Sequence, residues 1–546
     1  MADCRPTVPP QNWSQKIDLI RVLPIILEGS NDEEKSILKE YAEFWKIPFV
    51  LESSRGERNV VVTSDPNRVD RNASNPIVFS PSGIAGAKAI GRQFNLNVTI
   101  KETQIRMHTS SHSSASLKAT IFEFSGPDLK TVLDDGRNAI LFRIRGSDVF
   151  ILSIDLISEY RNRVYDRMDE KANWKFRLVT RMPFSYSLIP SGLRNRTFKS
   201  KEDLAAVDVE VYGPVECLRS VFLASLVVVS PEAIPIIRFW RHGKSYALAI
   251  SHDVETRLGL EDGAGRLIEI EKELGVRSTW NVPSDRYPLS SQLLIGLAKS
   301  GEIGGHDTRH DGKLLFTQGK SKLQRVSRCK ERLERLSGKE IRGFRAPLLQ
   351  HSRGLVSALS EAGYKYDSSM PSWELLSPTS LKQHGVGTVF PIMISDIVEV
   401  PVSLPQDHQL IRAGGLEVGK AVDYLLKVSS WIKSHGGACV LLVHPDYELS
   451  QGAGLDEYRR LLESFRSDIS CDIMTLGELA RWWAHRHRSR ITEFGRIETN
   501  PDDASIEEND DLEVGLVTKY GQNGFMIQSP NVISIAEPSD NSKQGQ

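Results

Sequence analysis

The stretch IGGHDTRH, residues 303–310, decides how this chain is interpreted. Its two histidines, His306 and His310, follow a glycine pair and are four residues apart. On a helical turn, side chains four apart project from one face, which is a common way to bring two imidazoles to one metal ion. Two histidines with this spacing also occur by chance, so the prediction of a metal site depends on polar residues elsewhere in the chain.

Strand-like and helix-like segments alternate on both sides of this stretch, from about Arg241 to His487. The predicted strands are residues 246–251, 277–282, 302–304, 341–345, 364–368, 397–402 and 438–443. The predicted helices are residues 260–274, 291–300, 320–336, 355–362, 418–434 and 455–466. This alternation predicts an α/β fold with a parallel (β/α) barrel.

Polar side chains follow five of the predicted strands. They are Asp253, Glu255, His306, His310, Arg345, Asp367 and His444. Catalytic groups of a barrel gather at the carboxyl ends of its strands, so we expect these residues to form one site. A structural role is an alternative for three of them. Arg345 could form an ion pair, His444 could cap a strand end, and Asp367 could cap a turn or a helix.

Two imidazoles and one carboxylate form the predicted metal site. Neutral histidines and a carboxylate suit a divalent ion and leave positions for water and a substrate carbonyl. We therefore predict His306, His310 and Glu255 as ligands of zinc, with cobalt or manganese as alternatives. Asp253 and Glu255 are alternate residues of an extended strand and share a face, so both carboxylates can point into one site. Their roles could be exchanged, or Asp253 could be the ligand and Glu255 have no role.

Six short motifs give residues 244–484, less than half of the chain, a resemblance to the polysaccharide deacetylase family. This family is also called the NodB-homology domain or carbohydrate esterase family 4. The motifs are SHDVE (251–255), VRSTWNV (276–282), GEIGGHDTRHD (301–311), GFRAP (343–347), YKYDSS (364–369) and LLVHP (441–445). The resemblance implies a distorted parallel (β/α) barrel of this type at residues 240–487.

The same resemblance implies roles for the remaining polar residues. Asp253 would be the general base, and Arg345 would hold it. Asp367 would steady that arginine, and His444 would be the general acid that protonates the leaving amine.

The chain departs from the family pattern in three motifs. Asp253 and Glu255 flank Val254 where the family has adjacent aspartates. The doubled aspartate of the fourth motif is reduced to Asp367. Leu348 stands in place of a tyrosine; its backbone amide could still stabilise an oxyanion, but the substrate groove is expected to differ.

Three residues are predicted to contact the substrate, namely Leu348, Trp373 and Tyr447. The aromatic faces of Trp373 and Tyr447 could stack on sugar rings. Plain packing is an equal alternative for both aromatic residues.

Residues 1–239 contain a separate run of alternating segments, which predicts a separate α/β layered domain of unknown role. Within it, the polar residues 106–116 are interpreted as a solvated loop. The last region, residues 488–546, is predicted to be an acidic, largely disordered tail with a small β-hairpin around residues 512–529, followed by a third strand-like stretch at 532–536.

Composition excludes several classes of protein. The formal net charge is −1, so charge gives no reason to expect a nucleic acid partner. The five cysteines form no CxxC pair, which argues against a disulfide framework or a cysteine zinc site. Residues 1–16 lack the apolar core of a secretory signal, and the longest apolar run, 221–229, is too short to span a bilayer. We expect a soluble, cytoplasmic protein without a transmembrane segment; the oligomeric state stays open.

Three functions fit these observations. The first is a metal-dependent hydrolase of a non-peptide carbon–nitrogen bond, which removes the acetyl group from an N-acetylated sugar of a polysaccharide or glycoconjugate. The second is hydrolysis of a non-sugar linear amide by the same residues. The third is a non-catalytic carbohydrate-binding or scaffold protein, which the altered aspartate pair and Leu348 favour slightly.

Overall fold

A computed structural model of the chain describes residues 22–51, 59–110, 113–181, 207–230, 232–493, 495–499, 512–520 and 524–528. The acidic segment 502–511, predicted to be disordered, lies outside the described residues, as does the strand-like stretch 532–536. Within the described ranges, no helix has both the length and the apolar character needed to cross a bilayer.

The N-terminal region is an α/β layer around a seven-stranded sheet with the order β2-β1-β3-β4-β9-β8-β7. Strands β1 to β4 and β9 are parallel, and β7 and β8 add an antiparallel edge. The elements are β1 Ile25–Glu28, α1 Asp32–Trp45, β2 Phe49–Leu51, β3 Val61–Thr63, β4 Ile77–Phe79, α2 Gly83–Gln93, β5 Asn97–Ser110, β6 Ser113–Ser125, β7 Leu129–Asp134, β8 Ala139–Ile144, β9 Val149–Leu152, α3 Leu156–Tyr160, α4 Trp174–Arg181 and α5 Pro214–Val229.

The solvated loop predicted at residues 106–116 is wrong for the residues that the structure describes there. They lie instead in a long antiparallel hairpin of β5 and β6. Ile105, Met107, Ala115 and Leu117 are buried in the core. Alternate residues of a strand face one side, so the polar Arg106, His108 and Ser114 occupy the other side without breaking the strands.

The second region follows the predicted alternation of strands and helices. Its elements are β10 Ile234–Ile237, β11 Tyr246–Asp253, α6 Ala264–Leu274, β12 Thr279–Val282, α7 Ser291–Ser300, β13 Glu302–Gly305, α8 Gly319–Ser337, β14 Gly343–Phe344, α9 Arg353–Glu361, β15 Tyr366–Asp367, β16 Ile392–Ile394, β17 Ile397–Glu399, α10 Val418–Ser434, β18 Ala438–Leu442, α11 Ala453–Ser467, β19 Cys471–Met474 and α12 Leu476–Arg488. The tail adds β20 Ser489–Ile491, β21 Ile497–Thr499, β22 Val514–Tyr520 and β23 Gly524–Gln528.

The central sheet of this region has the order β16-β17-β15-β14-β13-β12-β11-β18, with β19 also paired to β11. Every pair is parallel except β16 with β17. No strand pair between described residues closes β17 onto β18. The two ends approach through an irregular segment, where the Leu404 amide donates to the Val440 carbonyl at 3.2 Å. The α/β class is therefore present, but a complete ring of paired strands is not.

The N-terminal layer and the second region share one hydrophobic core. Phe44 at the end of α1 lies 5.0 Å from Phe390 and 5.1 Å from Phe239, between ring centroids. Phe239 in turn stacks on Trp483 of α12 at 6.3 Å. In the tail, β22 pairs with β23 and also with β10, so the tail is joined to the chain just before the second region.

Arg486 of α12 is a buried cation at this contact, with 2% of its surface exposed. Its guanidinium donates to the carbonyls of Phe44, Ile237 and Arg238 at 2.9, 2.7 and 3.0 Å. It also lies 4.8 Å from the ring centroid of Phe239. One side chain therefore connects α1 and β10 to α12.

We expect Arg486→Met to lower the free energy of unfolding by about 2 to 4 kcal/mol, because three buried carbonyls lose their donor. The midpoint of urea unfolding measures the change. The control is Arg490→Met, since the Arg490 side chain is 78% exposed; its effect should stay within about 0.5 kcal/mol. Equal midpoints for the two variants would contradict this prediction.

Candidate active site

The loop that follows β13 carries His306 and His310, and it is not helical. Asp307 and His310 have φ values of 64° and 51°, in the left-handed region. The chain therefore turns back on itself, and the two imidazole centroids lie 4.9 Å apart. Arg325 of α8 holds the turn through the carboxylates of Asp307 and Asp311. The two histidine side chains lie close together as expected, but a strained loop and not a helical turn brings them together.

The geometry of these histidines fits a metal ion. The Nδ1 atom of His306 lies 2.8 Å from the Arg345 carbonyl, which leaves Nε2 as the free ligand atom. Both Nε2 atoms are buried, and among the described residues that of His306 has no hydrogen-bond partner. Glu255 Oε1 lies 3.1 Å from His310 Nε2. The ligand atoms of these three residues all lie within 4.8 Å of one another, as a shared cation requires.

Asp253 and Glu255 lie in the same site but have different partners. Asp253 Oδ1 accepts from Asn281 Nδ2 at 2.9 Å and from Arg345 Nη1 at 3.3 Å. Burial alone would raise the pKa of Asp253, but nearby His306 and Arg345 bring it below its ordinary value. Glu255 Oε2 instead accepts from the Tyr447 hydroxyl at 2.7 Å. Glu255 therefore lies closest to His310, whereas Asp253 is bonded to Arg345 and its Oδ2 atom lies 3.8 Å from His306 Nε2.

Arg345 is fully buried at the end of β14 and contacts Asp253 as expected, but its other partners are serines and not Asp367. Its Nε and Nη2 atoms donate to the carbonyl and hydroxyl of Ser368 at 2.8 and 2.7 Å. Its Nη1 atom donates to Ser251 Oγ at 2.8 Å. No described hydrogen bond joins Asp367 to Arg345. The expectation that Asp367 steadies the arginine is therefore corrected: its neighbour Ser368 does so, because adjacent residues of a strand face opposite sides.

Asp367 instead faces Glu399, its cross-strand partner in β17. Ser369 Oγ donates to Asp367 Oδ1 at 2.5 Å, and the Met370 amide donates to Glu399 Oε1 at 2.8 Å. Both carboxyl groups are fully buried. Burial raises the pKa of Asp367 to about 7, and burial together with the Asp367 charge raises that of Glu399. Two such groups share a proton at neutral pH.

His444 is held by an aspartate that the sequence reasoning missed. Asp407 Oδ1 lies 2.7 Å from His444 Nδ1, and Asp407 Oδ2 accepts from the His444 amide at 3.0 Å. Burial would lower the pKa of His444, but the Asp407 charge raises it to about 9. His408 lies beside the pair, with its ring centroid 5.0 Å from that of His444. Asp407 follows the predicted strand 397–402, so the strand-end rule could have found it.

Of the polar groups described above, those that line one cavity of about 130 Å³ are Asp253, Glu255, His310, His408 and His444. Of the predicted substrate contacts, Leu348 and Tyr447 line it, and Leu348 has a left-handed φ of 59°. Trp373 does not line it. Its ring is buried against Tyr212 at 5.4 Å between centroids, so packing explains this tryptophan. Residues that line the cavity beyond those predicted include Arg286, Leu349, Leu376, Gln406, His408, Gln409 and Arg412.

The buried histidine nitrogens predict the metal content of the protein. Elemental analysis of the purified, metal-reloaded protein should find about one divalent ion per chain, as one closed ligand set can hold. The double variant His306→Ala/His310→Ala should lose it. The control is His242→Ala, an exposed histidine that precedes the amino end of β11, opposite the site; it should keep the ion. An unchanged metal content in the double variant would show that these histidines do not bind the ion.

The Asp367–Glu399 pair makes stability depend on pH. The pKa of Asp367 is about 7 in the folded chain, against an ordinary value of 3.8. The folded state therefore holds a proton that the unfolded chain releases, and stability falls as the pH rises between these values. Glu399→Gln removes the second carboxyl group, whose pKa burial also raises, so we expect it to reduce this fall, measured as the change in urea midpoint from pH 5 to pH 8. Exposed Glu269→Gln is the control, and a fall as steep in Glu399→Gln as in the unchanged protein would refute the pairing.

Comparison with known proteins gives one curated match. A peptidoglycan deacetylase-like protein of Gibberella zeae is 31% identical over 114 residues, which cover 20% of this chain and 32% of that protein. The chain thus matches about a third of the relative's length. No protein-family model matches the chain.

Solved structures with a similar region have low identity. A peptidoglycan deacetylase from Bacillus subtilis is 15% identical, covers 45% of this chain and 94% of its own, and has a TM-score of 0.31. A CE4 family pseudoenzyme from Bacillus anthracis is 14% identical, with coverages of 44% and 68% and a TM-score of 0.29. An allantoinase is 14% identical, with coverages of 45% and 92% and a TM-score of 0.37. These identities and TM-scores are too low to assign a role to this chain.

The curated match confirms the resemblance given by the motifs: the chain contains a region similar to the polysaccharide deacetylases.

Proposed function

We propose that residues 240–487 form a metal-dependent hydrolase that removes the acetyl group from an N-acetylated sugar of a polysaccharide or glycoconjugate. The observation that carries the proposal is the grouping of the buried Nε2 atoms of His306 and His310 with a Glu255 oxygen, all within 4.8 Å of one another. His444 lines the same cavity as Glu255 and His310, and Asp407 holds its Nδ1 atom from behind. The name of the Gibberella zeae relative supports a polysaccharide substrate.

His306, His310 and Glu255 would hold the ion, with zinc as the first candidate and cobalt or manganese as alternatives. A divalent ion bound there would make a water more acidic and polarise the amide carbonyl. Burial lowers the pKa of His306 to about 4, which keeps this imidazole neutral and able to act as a ligand.

Asp253 is proposed as the general base. Its Oδ2 atom lies 3.8 Å from His306 Nε2, while Asn281 and Arg345 hold the Oδ1 atom. The fixed oxygen orients the carboxylate, and the other oxygen is positioned to take a proton from the attacking water. The lowered pKa of Asp253 keeps the group ionised, as a base must be.

His444 is proposed as the general acid. Asp407 binds Nδ1, so the Nε2 atom is directed to the site and lies 4.0 Å from Glu255 Oε1. The raised pKa keeps the imidazolium protonated at neutral pH, so it can donate a proton to the leaving amine. Asp407 acts through His444 as a positioning residue.

The test is acetate release from N-acetylated oligosaccharides by the metal-loaded protein. Asp407→Asn should lower kcat about 100-fold, within the range that a general acid contributes, with little change in KM. Its metal content should be unchanged, which separates misorientation of His444 from loss of the site. The control is Asp423→Asn, a surface position on α10 that should keep full activity.

Two outcomes would overturn the proposal. Hydrolysis of linear non-sugar amides alone would move the substrate to that class. A metal-loaded protein inert on both substrate panels would leave a non-catalytic carbohydrate-binding or scaffold role.

A further inference from the structure

Arg286 is a cation on the wall of the catalytic cavity that no predicted role uses. It follows β12 and is half-buried, and it lines the cavity together with His310 and Tyr447. Its Nη1 atom donates to the His310 carbonyl at 2.9 Å. This bond fixes the guanidinium at a set distance from the proposed metal ligand.

No carboxylate of the described residues forms an ion pair with Arg286. The other arginine of the cavity, Arg412, differs in this respect. Its Nε atom lies 2.7 Å from Glu448 Oε1, and its guanidinium lies 4.2 Å from the ring centroid of Tyr447. The charge of Arg412 is therefore largely neutralised, whereas that of Arg286 is available.

The acidic groups of the cavity are already engaged by inner partners. Asp253 is bonded to Asn281 and Arg345, and Glu255 lies against His310 and the Tyr447 hydroxyl. A half-buried guanidinium without a counter-ion pays a desolvation cost that an anionic ligand would offset. The planar guanidinium suits carboxylate and phosphate, to which it can donate two parallel hydrogen bonds.

We infer that Arg286 selects substrates that carry an anionic group, a carboxylate or a phosphate, close to the scissile acetamide. The inference rests on the proposed function and names its substrate class. The anion is bound by the guanidinium while the acetamide lies between Asp253 and His444. The apolar part of the wall, Leu348, Leu349 and Ala413, contacts the carbon framework of the substrate.

The experiment compares three probes, one neutral and two anionic. They are a neutral N-acetylglucosamine oligosaccharide, an oligosaccharide that contains N-acetylmuramic acid as the carboxylate probe, and N-acetylglucosamine 1-phosphate. For Arg286→Gln we expect kcat/KM to fall about 10- to 100-fold on the preferred anionic probe, the value of one desolvated charge-assisted contact. The neutral probe should change less than about threefold. Arg286→Lys should recover part of the loss, since it restores the charge without the fork.

The control variant is Arg335→Gln, an exposed arginine near the end of α8. Metal content is measured on every variant, because Arg286 also contacts the backbone of His310. Equal losses on neutral and anionic probes, or a loss of metal in Arg286→Gln, would show a structural role and overturn the inference. A preference of the unchanged protein for the neutral probe would overturn it as well.

Calorimetric binding of the same three probes separates this inference from the proposed function. If the metal-loaded protein hydrolyses nothing, the proposed function fails, yet tighter binding of an anionic probe that is lost in Arg286→Gln would still support anion selection. Equal binding of all three probes would refute it. The carboxylate and phosphate probes then identify which anion the site prefers.

Discussion

The buried guanidinium of Arg345 is the interaction on which the site depends. A fully buried charge must be surrounded by partners, so its position fixes theirs as well. Its side chain joins Ser251 and Asp253 of β11 to Ser368 beyond β15, and its carbonyl meets Nδ1 of His306. One residue therefore sets the orientation of the proposed base and the tautomer of a proposed metal ligand, although the three segments are far apart in the sequence.

Local patterns were sufficient to predict the repeating architecture. The predicted helix 418–434 matches α10 at both ends, and most other predicted helices end within two or three residues of the observed limits, because apolar periodicity is a property of neighbouring residues. The sheet path is less regular than the predicted barrel. The irregular segment near Leu404 could not be predicted from its own sequence. It joins the sheet only through its contact with Val440, which is distant in the sequence.

Side-chain partners could be predicted only where the strand-end rule applied. That rule brought Asp253, His306 and His444 together, but it could not assign Asp367 to Glu399 rather than to Arg345, because the choice depends on which face each residue takes. Trp373 is the kind of aromatic residue that stacks on sugar rings, but it lies in the hydrophobic core. Arg286 was missed because a single arginine after a strand has no distinguishing pattern until its neighbours in space are known.

The two regions that meet near residue 240 are packed together and are not joined by a flexible hinge, because Phe44, Phe239 and Trp483 belong to one core. The two regions are consecutive in the sequence, but their aromatic residues pack in one core, and β22 of the tail pairs with β10. The region that carries the proposed active site is therefore not an independently folding domain. If it were excised, its aromatic surface would be exposed to water. We therefore expect this region to fold cooperatively only as part of the longer chain.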